Sequence, residues 1–349
     1  MPSGFEVNAP AVVKLFGEHV VMHGKPSVAA AINLFAKASV SENASDKLRI
    51  ILSDLGSEAE FSLKELKQIY YLYANNENIP EFIEASSIKK DILPYAVIAS
   101  RLASKFNAEV WGKTINVSSE IKMQRGLASS AACSVAFTLA LIKSLNLKLA
   151  DDAVIDISRD GDRIIHKNKN AGNIDVTTSF YGGVVVLDSK GIKQAEMKKE
   201  PKLMLIDTGP KKSTAETVRS VTELYETNPA RACFLADNIE ACALRGLEAL
   251  RTGNIDELGK AMYENQKFLN EFGVSSPGLE NGVELAKRAG FLGAKLTGGG
   301  GGGILIAIPG KNTSISEFAF AAKRIGFEIH DCEITKKGAK NYYKTKVIA

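Results

Sequence analysis

One stretch limits what this chain can fold into: Ile121 to Ala132, IKMQRGLASSAA. Before it runs Thr114-Ile-Asn-Val-Ser-Ser-Glu-Ile121, whose alternation of apolar and polar residues has the period of a half-buried strand. After it comes Ala131 to Leu145, AACSVAFTLALIKSL, an apolar run too long for a strand and therefore a buried helix. Strand, small-residue loop and helix together make an anion site. The loop exposes backbone N–H groups, the helix N-terminus adds a partial positive charge, and small side chains let a phosphate reach the backbone. Ser129 and Ser130 fall where an N-cap is expected. A serine there can cap the helix, hold a phosphate oxygen or ligate Mg²⁺. Taken alone, the stretch is explained as well by a capped, buried helix with no ligand.

The loop is not a Walker A sequence, since no GxxxxGK[ST] occurs in the chain. The run Gly298 to Gly303 formally satisfies GxGxxG, but the strand-like Ile304-Leu-Ile-Ala-Ile follows it. A dinucleotide fingerprint requires a helix there.

A chain of 349 residues has room for two domains with cores of their own. Hydrophobic content of 45% and charged content of 24% place it among soluble globular proteins. The net charge of +4 is small and evenly spread, which argues against a nucleic-acid partner. Cys133, Cys233, Cys242 and Cys332 form no CxxC and read as free thiols in a reducing compartment. His19, His23, His166 and His330 are too scattered for a zinc site. The N-terminal MPSGFEVNAP lacks the character of a signal peptide, and no apolar run reaches the length of a membrane span. The expectation is a cytoplasmic protein.

Along the chain, strands are expected at Phe5 to Phe16 (broken by Pro10), Ser27 to Val40 and Lys47 to Leu52. Helices are expected at Leu63 to Leu72, Asp91 to Phe106 and Asp151 to Lys167. The polar run Lys167 to Gly172, KNKNAG, is the candidate domain boundary, dividing residues 1–170 from 171–349. Strands at Gly182 to Leu187 and Lys202 to Asp207 precede four helices between Thr214 and Ala289. A strand, glycine loop and strand follow at Gly293 to Pro309, then a helix and a closing strand. The order of elements is α+β and does not alternate regularly enough for a doubly wound sheet.

Four segments, in order, resemble the motifs of GHMP kinases. They are APAVVKLFGEHVVMHGKPSVAAAI (9–32), QRGLASSAACS (124–134), NIDVTTSFYGG (173–183) and GAKLTGGGGGG (293–303). The GEH and HGKP elements are similar to the mevalonate kinase branch in particular. Asp207-Thr-Gly-Pro-Lys-Lys-Ser-Thr214 is a weaker fifth match. The resemblance implies an N-terminal ATP-binding domain like the second domain of ribosomal protein S5. It also implies a ferredoxin-like C-terminal domain, with the active site in the cleft between the two. The implied reaction is phosphoryl transfer from Mg·ATP to an alcohol, which in that branch is the C5 hydroxyl of mevalonate.

The same resemblance assigns residues. Asp175 matches the catalytic base, which would orient the acceptor hydroxyl and take its proton. Gln124, Arg125, Gly126, Leu127, Ala128, Ser129, Ser130 and Ala131 form the phosphate loop. Ser130 would ligate Mg²⁺ with Asp162, which stands where the family has glutamate; Asp160 is the nearby competitor. Glu18 and His19, with Thr297, Gly298, Gly299 and Gly300, would meet the substrate. The sequence leaves the protonation of His19 open.

Two departures stand out. The family's first motif has a lysine where this chain has Val12, and Lys14 lies two residues on. Strand geometry puts positions 12 and 14 on one face, about 6.5 Å apart, so Lys14 is a candidate electrostatic partner of Asp175. The spelling GLASSA is closer to diphosphomevalonate decarboxylases, which keeps a sister enzyme acting on a phosphorylated mevalonate as an alternative. A non-catalytic metabolite sensor of the same fold is a second alternative. The oligomeric state is left open, with a homodimer as one candidate.

Overall fold

The computed structural model describes residues 3–76, 78–122, 125–169, 171–209, 214–341 and 343–347. The chain begins with strands β1 (Ser3–Phe16), β2 (Ser27–Glu42), β3 (Leu48–Leu52) and β4 (Ser57–Phe61). Helices α1 (Leu63–Ala74), α2 (Ile79–Ala85) and α3 (Leu93–Lys105) lead to β5 (Lys113–Ser119). Then come α4 (Ser129–Ser144), α5 (Asp151–His166) and α6 (Asn173–Tyr181), followed by the hairpin β6 (Val184–Asp188) and β7 (Gly191–Ala195). Strand β8 (Lys202–Asp207) precedes α7 (Thr214–Thr227), α8 (Pro229–Thr252), α9 (Ile255–Glu271) and α10 (Pro277–Arg288). The chain closes with β9 (Phe291–Leu296), β10 (Ile304–Pro309), α11 (Ile315–Arg324), β11 (Glu328–Glu333) and β12 (Tyr343–Val347).

The strands form two sheets. The first has the order β12-β1-β2-β5-β3-β4, with β6 also paired to β2 and β7 to β6. The second has the order β11-β8-β10-β9 and is antiparallel throughout. From β8 to β11 the major elements run strand, helices, strand, strand, helix, strand, the ferredoxin-like arrangement expected of the C-terminal half.

Pro10 does not break β1. The register with β2 shifts between Pro10 and Ala11, and this bulge accommodates the residue that has no N–H to give. The described residues of the polar run, 167–169 and 171–172, likewise lie within the first sheet's territory. The run joins α5 to α6, both of which pack on α4, and β6 then pairs with β2. The passage to the second sheet comes later, between β7 and β8, and β12 finally returns to pair with β1. Lys167, Asn168 and Lys169 are exposed, and a polar helix–helix connection has the same composition as an interdomain linker.

Helix α4 is the centre of the first layer. Every residue from Ala131 to Ile142 is buried, as the absence of a polar face in the sequence requires. Its Phe137 ring is fully buried and meets Tyr95 of α3 at a centroid distance of 5.1 Å. Phe137→Ala removes this contact and leaves a cavity between α3 and α4. We expect a loss of about 3–5 kcal/mol, read as a lower denaturant midpoint in equilibrium unfolding.

Candidate active site

A cavity of about 1190 Å³ opens between the two sheets. One wall is the loop before α4. Gly126 has φ +89 and Ala128 φ 49, two left-handed residues that turn the chain sharply from β5 into the helix. Ala128, not a serine, is the N-cap, and no side chain caps the first turn. Its amides are therefore left for a ligand, with the partial positive charge of the helix behind them. Gly126, Leu127, Ala128, Ser129 and Ser130 line the cavity, while Ala131 is buried beneath them. The expected contact of Gln124 lies outside the described residues.

Arg125 goes elsewhere. Its guanidinium donates to the Gly209 carbonyl and lies 3.5 Å from Asp207 Oδ1, at the end of β8. It ties the loop to the second sheet. Gly126 approaches that side too, since a Cβ on it would sit 2.6 Å from the Thr297 carbonyl oxygen. Gly298 meets Gly126 in the same way, at 2.9 Å. Only glycine at both positions allows the two loops to touch backbone to backbone.

Behind the loop, Ser130 Oγ donates to Asp162 Oδ1 at 2.6 Å. His166 Nε2 lies 3.3 Å from the same hydroxyl and 3.4 Å from the same carboxylate oxygen. Asp160, two residues earlier on α5, points about 200° around the helix. It accepts from Tyr73 (2.9 Å), Arg101 (2.8 Å) and Arg163 (2.7 Å) and is fully committed there. Of the two acids, Asp162 is the one beside the cavity. A hydroxyl and a carboxylate make a hard-oxygen set of the kind that Mg²⁺ shares with nucleotide phosphates.

Across the cavity, Asp175 stands in the first turn of α6 and pairs with the Lys14 ammonium. Val12 and Lys14 both line the cavity, as one strand face should. Val12 packs with Ile174, and the Lys14 amide donates to Thr297 Oγ1 at 2.7 Å. His19 Nε2 lies 3.2 Å from the Gly299 carbonyl oxygen. The first motif thus reaches the third at three places, counting the ion pair of Glu18 with Lys295.

These are the geometry and the motifs of one family. The description of the GHMP kinases' N-terminal domain matches residues 93–183, and that of their C-terminal domain matches residues 247–326. A mevalonate kinase from Pyrococcus abyssi is 30% identical over 351 residues, spanning 97% of this chain and 98% of its own. The chain belongs to the GHMP kinase family. A mevalonate kinase from Saccharolobus solfataricus is also 30% identical, with coverage of 87% and 89%. The crystal structure of the Methanococcus jannaschii mevalonate kinase matches at a TM-score of 0.79 and 25% identity, covering 95% of this chain and 98% of that one.

In this GHMP kinase the fold gives roles to residues that the sequence reading left without one. Lys295, inside the third motif, is one. A lysine flanked by Ala294 and Leu296 in a strand buried on both faces is the signal that could have found it. Leu52, Leu55, Ile83, Pro94 and Tyr95 form an apolar lobe of the cavity. They come from separate elements, and nothing in the sequence links them.

Burial pushes the His19 pKa down to about 4; the nearby Lys295 charge adds to this, and the Gly299 carbonyl opposes it. The imidazole is neutral at pH 7 and is available on the cavity wall as a hydrogen-bonding group, not as a cation. The unfolded chain takes up this proton near pH 6.5 and the folded chain only near pH 4. Stability should therefore fall as pH drops from 6.5 towards 4. In His19→Asn that slope should be shallower by up to about 1.4 kcal/mol per pH unit, measured by denaturant unfolding across this range.

Proposed function

We propose that the protein is an ATP-dependent mevalonate kinase. It transfers the γ-phosphoryl group of Mg·ATP to the C5 hydroxyl of mevalonate, giving ADP and 5-phosphomevalonate. One juxtaposition carries the reading: the Lys14–Asp175 pair lines the same cavity as the uncapped first turn of α4. A carboxylate suited to a hydroxyl thus faces a loop suited to phosphates. Relatives bearing the name mevalonate kinase align over nearly the whole chain, which supports the choice of acceptor.

In this reading the apolar lobe around Leu52 and Tyr95 receives the nucleotide base, and the amides of Gly126 to Ala131 hold the phosphates. Ser130 and Asp162 are the residues that would hold Mg²⁺. When bound, the ion neutralises phosphate charge and favours transfer. Asp175 accepts a hydrogen bond from the acceptor hydroxyl, fixes its approach and takes its proton as the new bond forms. Lys14 orients Asp175 and offers positive charge where the transferred oxygens gather. Lys14 substitutes for the lysine the family has at Val12, because a shift of two along a strand keeps the face. His19, Thr297, Gly298 and Gly299 form the acceptor end. Arg125 serves as a tether of the phosphate loop.

The test is ADP release with Mg·ATP and mevalonate, with the product identified by phosphorus NMR. A C5 phosphomonoester is expected. Turnover only with a phosphorylated mevalonate would move the protein to the sister class suggested by GLASSA. Asp175→Asn should lower kcat by about 10²–10⁴-fold while calorimetric ATP affinity is retained. Unchanged turnover in that variant would remove Asp175 from the chemistry.

A further inference from the structure

Of the three ties between the first motif and the third, only one is sealed from water. The Glu18 and Lys295 side chains are 1% and 0% exposed. Lys295 Nζ donates to Glu18 Oε1 and, at 2.6 Å, to the Leu296 carbonyl. Glu18 Oε2 is also buried and has no partner among the described residues. Neither carboxylate oxygen is therefore presented to the cavity, although Glu18 contributes to its wall.

The next residue is the opposite. His19 reaches the cavity wall and holds a positive φ of 64 with ψ −36, a backbone strained for any residue with a side chain. Gly17, two residues before it, also has a positive φ, and a Cβ there would lie 2.1 Å from the Pro26 carbonyl oxygen. Such a turn persists only where its surroundings fix it. Glu18 is its centre, and its side chain is the one locked into the core. A buried ion pair adds little net stability compared with apolar residues of the same size, and its better-attested use is to specify one arrangement. Burial raises the Glu18 carboxyl pKa and lowers the Lys295 ammonium pKa, and each is opposed by the charge of the other. Removing either partner would leave the other uncompensated.

We propose that Glu18 and Lys295 are positioning residues for His19: the sealed pair fixes the Gly17–His19 turn against β9, so that the imidazole stands at the acceptor end, and neither side chain touches the acceptor. The inference deepens the kinase reading and rests on it for the identity of the acceptor.

A double-mutant cycle between Glu18→Gln and His19→Ala separates positioning from contact. Each single variant should raise KM for mevalonate about tenfold, with KM for ATP within about twofold of the wild type, and the double variant should match His19→Ala. Losses that multiply would mean that Glu18 meets the acceptor itself, and the proposal would fall. The neutral pair Glu18→Gln/Lys295→Met, checked for folding by thermal melting, should behave as Glu18→Gln does. A second readout needs no substrate. The chain has four histidines, and in unliganded Glu18→Gln the His19 ring resonances should move while those of His23, His166 and His330 stay. An unmoved His19 signal would overturn the proposal. If the wild type fails to phosphorylate mevalonate, the kinase reading is lost, and the resonance measurement still decides the role of the pair.

Discussion

The active cleft depends on one close approach, in which the backbone at Gly126 lies against the backbone at Thr297 and Gly298. Two sheets that carry separate halves of a site must meet without side chains between them if a phosphate is to touch both. A Cβ on either glycine would push the loops apart. Around that contact the other ties fall into place. Arg125 and Lys122 reach Asp207 on one side, and Lys14, Glu18 and His19 reach β9 and its glycine loop on the other. The positive φ values of Gly126 and Ala128 follow from the same geometry, because the chain must reverse at once to enter α4.

Charge is sorted by depth. Asp160 is deeply buried and fully paired with arginines and a tyrosine between helices α1, α3 and α5, where it serves packing. Asp162 is equally buried but faces Ser130 at the cavity edge. Helical rotation over two residues is enough to send one acid into the structure and the other to the site. Asp175 and Lys14 remain partly exposed on the cavity wall. The Glu18–Lys295 pair is sealed, which suits a part that holds others still.

Much of this was legible in the sequence because the motifs are local. The strand–loop–helix at Thr114 to Leu145 and the α+β order follow from periodicity and small residues, and the pairing of Lys14 with Asp175 follows from the family resemblance joined to strand alternation. The N-cap differed: Ser129 and Ser130 suit capping by type, but Ala128 takes the position and Ser130 turns to Asp162. Composition also misdirected at KNKNAG, since a polar loop between two helices of one layer looks like a linker. Pro10 was legible as an interruption, and only the pairing of β1 with β2 showed that a bulge absorbs it.

The sequence by itself determined most of the long elements, the family and the residue types at the site, because these depend on neighbours a few positions apart. The tertiary structure decided which groups meet. Lys295 lies 277 residues from Glu18, and Arg125 lies 84 from Gly209. It also decided that Asp162 and not Asp160 meets Ser130 at the cavity edge, that the apolar lobe exists, and that His19 is neutral. Each of these depends on burial and on partners brought together by packing, and neither is written in the spacing of a chain.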